Sequence, residues 1–73
     1  MRPEKLALVK AWLEERFPEM KDVEPSLAEL GNSRFLFTLK KALVTEDGAR
    51  VVQVVKATVD EEGQVLKVSV SKG

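Results

Sequence analysis

The stretch from Arg34 to Val59 constrains this chain more than any other. It reads RFLFTLKKALV, then TEDGA, then RVVQVVKATV. Two runs rich in β-branched and aromatic residues flank an Asp47-Gly48 pair, which is the signature of a β-hairpin. Successive side chains of a strand point to opposite faces, and both faces of this hairpin receive apolar residues. An antiparallel sheet built on it needs cover on one side and has a second apolar side to account for.

The cover has to come from little material. The chain has 73 residues, enough for one small α+β domain spanning 1–73 and too few for a second core. It has no Cys and no His, which excludes disulfides and ordinary zinc sites and removes the two side chains most easily tuned for catalysis near neutral pH. No G-x-S-x-G, phosphate-loop or dinucleotide-loop pattern occurs. The expectation is a protein that is no enzyme and takes no cofactor or metal. Glu14-Glu15 reads as a solvated helix face. Glu46-Asp47-Gly48 and Asp60-Glu61-Glu62-Gly63 read as acidic turns, because they lack the alternating oxygen ligands of a calcium loop.

Leu6, Leu8, Val9, Trp12, Leu13 and Phe17 fill one half of a helical wheel, with Pro3 suited to a first turn and Pro18 ending the helical run. The pattern predicts a helix over 3–17. Leu6, Val9, Leu13 and Phe17 form its core stripe, and Leu8 and Trp12 flank it. Residues 18–33 allow two readings. One is a short edge strand from about Val23 to Leu30 turning at Gly31-Asn32; the other is a single helical turn begun by the capping box Ser26-Leu27-Ala28-Glu29. The strand is the reading favoured here. The fold expected is one N-terminal helix packed on an antiparallel meander of three or four strands, α-β-β-β-β with the first strand the uncertain one.

Taken as a two-residue turn, Asp47-Gly48 sets Val44 opposite Val51 and Phe37 opposite Thr58. Phe35, Phe37, Leu39, Leu43, Val52 and Val54 then share the helix-covered face, with Lys41, Lys56 and Thr58 among them. A three-residue Glu61–Gly63 loop adds Leu66, Val68 and Val70 to that face. The second face collects Leu36, Val51, Val55, Ala57, Val59 and Val65. These six, with Trp12, are the candidate interface, and the partner expected for them is a second copy of the chain packed sheet on sheet. The competing cover is residues 18–33.

Charge points to an alternative. Twelve basic and twelve acidic residues cancel overall. The acids after residue 33 nevertheless sit in two turns, Glu46-Asp47 and Asp60-Glu61-Glu62, so the strands hold basic groups only. Arg34, Lys40, Lys56 and Lys67 are the candidate nucleic-acid contacts; lysines on strands also discourage edge-to-edge pairing. Phe35 and Phe37 beside Arg34 have the spacing of base-stacking aromatics, but their neighbours place them in the core. A third reading is an inhibitor or carrier that offers a sheet edge to a peptide. No apolar run is long enough to span a bilayer and no signal-peptide pattern is present, so a cytoplasmic location without membrane contact is expected. One third charged residues with neither Cys nor His suits a thermostable protein.

The helix followed by strands joined through Asp-Gly and Asp-x-x-Gly turns, VTEDGARVVQVVKATVDEEGQVL, resembles PepSY-like and cystatin-like modules. That resemblance carries no function across.

Overall fold

The computed structural model describes residues 2–72. Helix α1 spans Pro3–Arg16, a 3₁₀ turn covers Pro18–Met20, and strands β1 (Ser26–Gly31), β2 (Arg34–Val44), β3 (Arg50–Asp60) and β4 (Val65–Lys72) follow. The strands form one antiparallel sheet in the order β1-β2-β3-β4. The expected α-β-β-β-β architecture is thus the observed one, and the first strand exists.

Each boundary has a local cause. Arg2 is extended, and its carbonyl accepts the first helical bonds from Lys5 and Leu6 at 3.0 and 3.1 Å. At the other end Pro18 forces Phe17 out of the helical region, to φ −128° and ψ 71°. The β1–β2 hairpin turns on Asn32 and Ser33, one position later than Gly31-Asn32. Both adopt positive φ, 52° and 59°, as a two-residue mirror-image turn demands. Leu30 is left out of the pairing as a bulge.

The β2–β3 connection departs from the expected one. Thr45 donates its N–H to the carbonyl of Ala49 at 2.9 Å, so the loop is Glu46-Asp47-Gly48, three residues instead of two. Only Gly48 takes a positive φ, 85°, whereas a two-residue turn would require Asp47 to do so as well. Side chains reinforce the longer loop. The Thr45 hydroxyl donates to the Asp47 carboxylate, and the Ala49 N–H donates to Thr45 Oγ1 at 3.1 Å. The Ala49 N–H also reaches Asp47 Oδ1, at 3.4 Å, and the Thr45 hydroxyl first, then this N–H, hold the Asp47 carboxyl below its usual range.

One added loop residue shifts the register by one and exchanges the faces of β3. Phe35, Phe37 and Leu39 lie opposite Val59, Ala57 and Val55. These six are buried together with Val9 and Leu13 of α1 and Met20 of the 3₁₀ turn, and they form the core. Val51, Val55, Ala57 and Val59, expected on the second face, therefore lie on the covered one, as does Val65. Val52, Val54, Lys56 and Thr58 move the other way, onto the open face. Gln53, also expected on the second face, is buried on the covered one.

The second hairpin matches its expectation. The Asp60 N–H donates to the Gln64 carbonyl at 3.1 Å, around a Glu61–Gly63 loop with Gly63 at φ 84°. Without a correction, the first shift would have turned Val68 and Val70 outward. A bulge at Leu66 restores their phase, so that Val68 lies opposite Ala57 and Val70 opposite Val55. Leu66 itself, expected on the covered face, is left 45% exposed.

Gly63 and Gly48 share a left-handed backbone but differ in surroundings. A Cβ at Gly63 meets the Lys5 carbonyl at 3.4 Å and Val9 at 3.7 Å, whereas nothing lies near Gly48. Gly48→Ala should cost the backbone term alone, about 1–2 kcal/mol. Gly63→Ala should cost about the same, because contacts at 3.4 and 3.7 Å are ordinary van der Waals ones and α1 need not move. Urea denaturation of the two variants checks that they match.

Candidate functional site

Which side chains stand on the uncovered face follows from the corrected register. Along β2 they are Arg34, Leu36, Thr38, Lys40, Ala42 and Val44; along β3 Asp60, Thr58, Lys56, Val54, Val52 and Arg50 lie opposite them in that order. β4 adds Lys67 beside Thr58, Ser69 beside Lys56 and Ser71 beside Val54. β1 adds Ala28 beside Leu36 and Ser26 beside Thr38. No helix packs here, because α1 lies on the other face, where Val9 and Leu13 are buried with Phe35, Phe37, Leu39 and their β3 partners.

Lys40, Lys56 and Lys67 fall one row apart on three successive strands, which makes them an oblique line across the sheet. Diagonal neighbours on adjacent strands have Cα atoms about 7–8 Å apart, so the ammonium groups are spaced as a series and need not share one counter-ion. Arg34 and Arg50 flank the line at the two ends of the face. The row through Lys56 is polar on all four strands: Ser26, Thr38, Lys56 and Ser69. Against these five cations the face carries a single acid, Asp60, whose carboxylate accepts the Glu62 and Gln64 N–H groups at 2.9 and 3.0 Å and is thereby engaged in its own turn. Since the whole chain is neutral, this face is net positive and the remainder of the surface net negative.

All four sequence-predicted basic contacts, Arg34, Lys40, Lys56 and Lys67, are brought together. Arg50 belongs with them and was missed; its signal was the parity of β3 once the turn is counted correctly. Lys41 does not belong. It sits on the covered side opposite Gln53, where its ammonium donates to the Glu19 carbonyl at 2.6 Å and to Asp22 Oδ1 at 3.0 Å. The bond from Lys41 holds the Asp22 carboxyl below its usual range, helped by a backbone N–H and by the ammonium charge. A depressed carboxyl adds stability above its unfolded pKa of about 3.9, and that stability is lost as pH falls through the folded value. Thermal melts of the wild type should therefore fall off more steeply below about pH 4 than those of Asp22→Asn, in which this contribution is absent at every pH.

The apolar candidate interface is dispersed. Of Leu36, Val51, Val55, Ala57, Val59, Val65 and Trp12, only Leu36 stands on the open face. Val55, Ala57 and Val59 are fully buried. Trp12 packs at the margin of the core with the Arg16 guanidinium 5.1 Å from its ring centre. A second copy stacked on the open face would oppose like charges over Lys40, Lys56 and Lys67, which disfavours the sheet-on-sheet pairing expected from the sequence. Among the described residues no helix is long and apolar enough to cross a membrane. Comparison with protein-family models, curated proteins and solved structures finds no match to this chain.

Proposed function

We propose that this chain is a non-catalytic module that binds the phosphate backbone of a nucleic acid on its open sheet face. The observation that carries the reading is the segregation of charge: five basic side chains on one uncovered face with one engaged acid, in a chain of zero net charge. Lysines with Ser and Thr hydroxyls between them are donors of the kind that contact phosphate and sugar oxygens, which position a nucleic acid without reading its sequence. Phe35 and Phe37 are buried on the opposite side, so the face has no aromatic platform for stacked bases. The binding expected is electrostatic, tolerant of sequence and steeply weakened by salt.

Fluorescence anisotropy with a labelled duplex and a labelled single strand tests this at about 20 mM salt, where backbone contacts are strongest. Binding that weakens linearly in log affinity against log salt supports the reading. No binding of either probe ends it, and leaves the lysines as solubilising groups on an exposed sheet.

A further inference from the structure

The two edges of the sheet are built differently. At β1 the strand follows Pro25, is interrupted by the Leu30 bulge and carries Glu29 on the helix side; each of these features blunts an edge. At β4 the pairing after the Leu66 bulge runs without interruption from Lys67 to Lys72, with neither Pro nor acid; its two lysines, residues of a kind that discourages edge pairing, stand at the ends of the run and leave Val68–Ser71 uncharged between them. Beside it lies apolar surface. Leu6, Ala7 and Lys10 on one flank of α1 border Leu27 and Glu24 on the β1 side, so Leu8 and Trp12, on the opposite flank of the helical wheel, face the β4 side. Leu8 is 58% and Val70 48% exposed there.

We propose that β4 is a self-pairing edge, and that two copies of the chain join antiparallel through it into one eight-stranded sheet. The occupant is a second copy because the strand is complementary to itself. With the two-fold axis at Ser69, Val68 of each copy stands opposite Val70 of the other, Ser69 opposite Ser69, and Lys67 opposite Ser71. No like charges face each other, and the two Lys67 side chains lie four residues apart along the strand, about 13 Å, beyond the screening length of about 8 Å at physiological salt.

The backbone agrees with that register. Asp60 is bonded across to Gln64, and alternation along β3 then directs Thr58 and Lys56, with their partners Lys67 and Ser69, at each other. Val68 and Val70 are left with their backbone groups on the free edge, and these are the residues that the symmetric register pairs. The four valines extend the covered core across the axis, beside Leu8 and Trp12 of each copy. Both open faces come to lie on the same side, so the two lysine lines share one surface. The inference stands apart from what that surface binds.

The mass in solution tests it, with two variants. The wild type should sediment at twice its 8.1 kDa at tens of micromolar. Val70→Pro removes an edge N–H that makes no bond within the chain, and should give a monomer with an unchanged circular dichroism spectrum. Ser69→Cys supplies the chain's sole thiol at the axis, in a pair whose Cα atoms are about 4.5 Å apart, and should oxidise to a symmetric disulfide. Ser71→Cys should do so about tenfold more slowly, since its opposite is Lys67. A monomeric wild type at hundreds of micromolar overturns the proposal, as does equal cross-linking of the two cysteine variants. Should Val70→Pro fail to fold, the cysteine pair still decides.

Discussion

Val55→Lys will unfold this chain, whereas Val54→Lys will leave it folded. The two residues are neighbours of the same type, and only their faces differ. Val55 is wholly buried between Leu39 and the helix, while Val54 lies opposite Lys40 on the open face. Burying an unpaired ammonium costs several kcal/mol after relaxation. A domain stabilised by about 0.1 kcal/mol per residue has about 7 kcal/mol in all, so a loss of that size removes most of the cooperative transition. On the open face the lysine replaces a partly buried valine opposite Lys40, where lost packing and the like charge cost about 1–2 kcal/mol. Urea titration followed by circular dichroism reads both. The reverse outcome, with Val54→Lys unfolded and Val55→Lys native, would restore the two-residue Asp47-Gly48 turn and overturn the register.

Charge reversal along the lysine line should abolish retention of nucleic acid. Each phosphate contact adds about 0.9 to the slope of log affinity against log salt for duplex DNA and about 0.7 for single strands. Removing Lys40, Lys56 and Lys67 together should lower that slope by about 2–3. Lys40→Glu, Lys56→Glu and Lys67→Glu combined should reduce binding below detection at low salt. The control makes the same charge change elsewhere: Arg2→Glu, Lys10→Glu and Lys21→Glu stand off the open face and should leave most of the affinity. Equal loss from both triple variants would show a response to net charge alone and would remove the open face as the site.

The hairpin turns show how the sequence was legible in one place and misleading in another. Thr45-Glu46-Asp47-Gly48 and Asp60-Glu61-Glu62-Gly63 share a pattern: a residue able to accept N–H bonds, two acids and a glycine. Both form three-residue loops with the glycine alone left-handed. The Asp-Gly pair drew the first toward a two-residue turn, although the likeness to the second loop argued for three. The composition of the faces argued the same way, since the shorter turn placed Lys56 and Thr58 among core residues. Met20 is illegible in the sequence for another reason. A lone apolar residue in an irregular segment has no periodicity to mark it, and only the return of the chain over β2 buries it.

By itself the sequence determined the order of elements, the helix and its apolar stripe, the strands and their basic content. These depend on short-range causes: side-chain period, the geometry of proline, and glycine where φ must be positive. The tertiary structure alone decided which face of the sheet is core and which is free. Side chains alternate with period two, so a single residue in the Glu46–Gly48 loop exchanges the faces of all of β3, and the Leu66 bulge exchanges those of β4 back again. That exchange sent Val55, Ala57 and Val59 into the core. It also assembled Arg34, Lys40, Arg50, Lys56 and Lys67 on one surface.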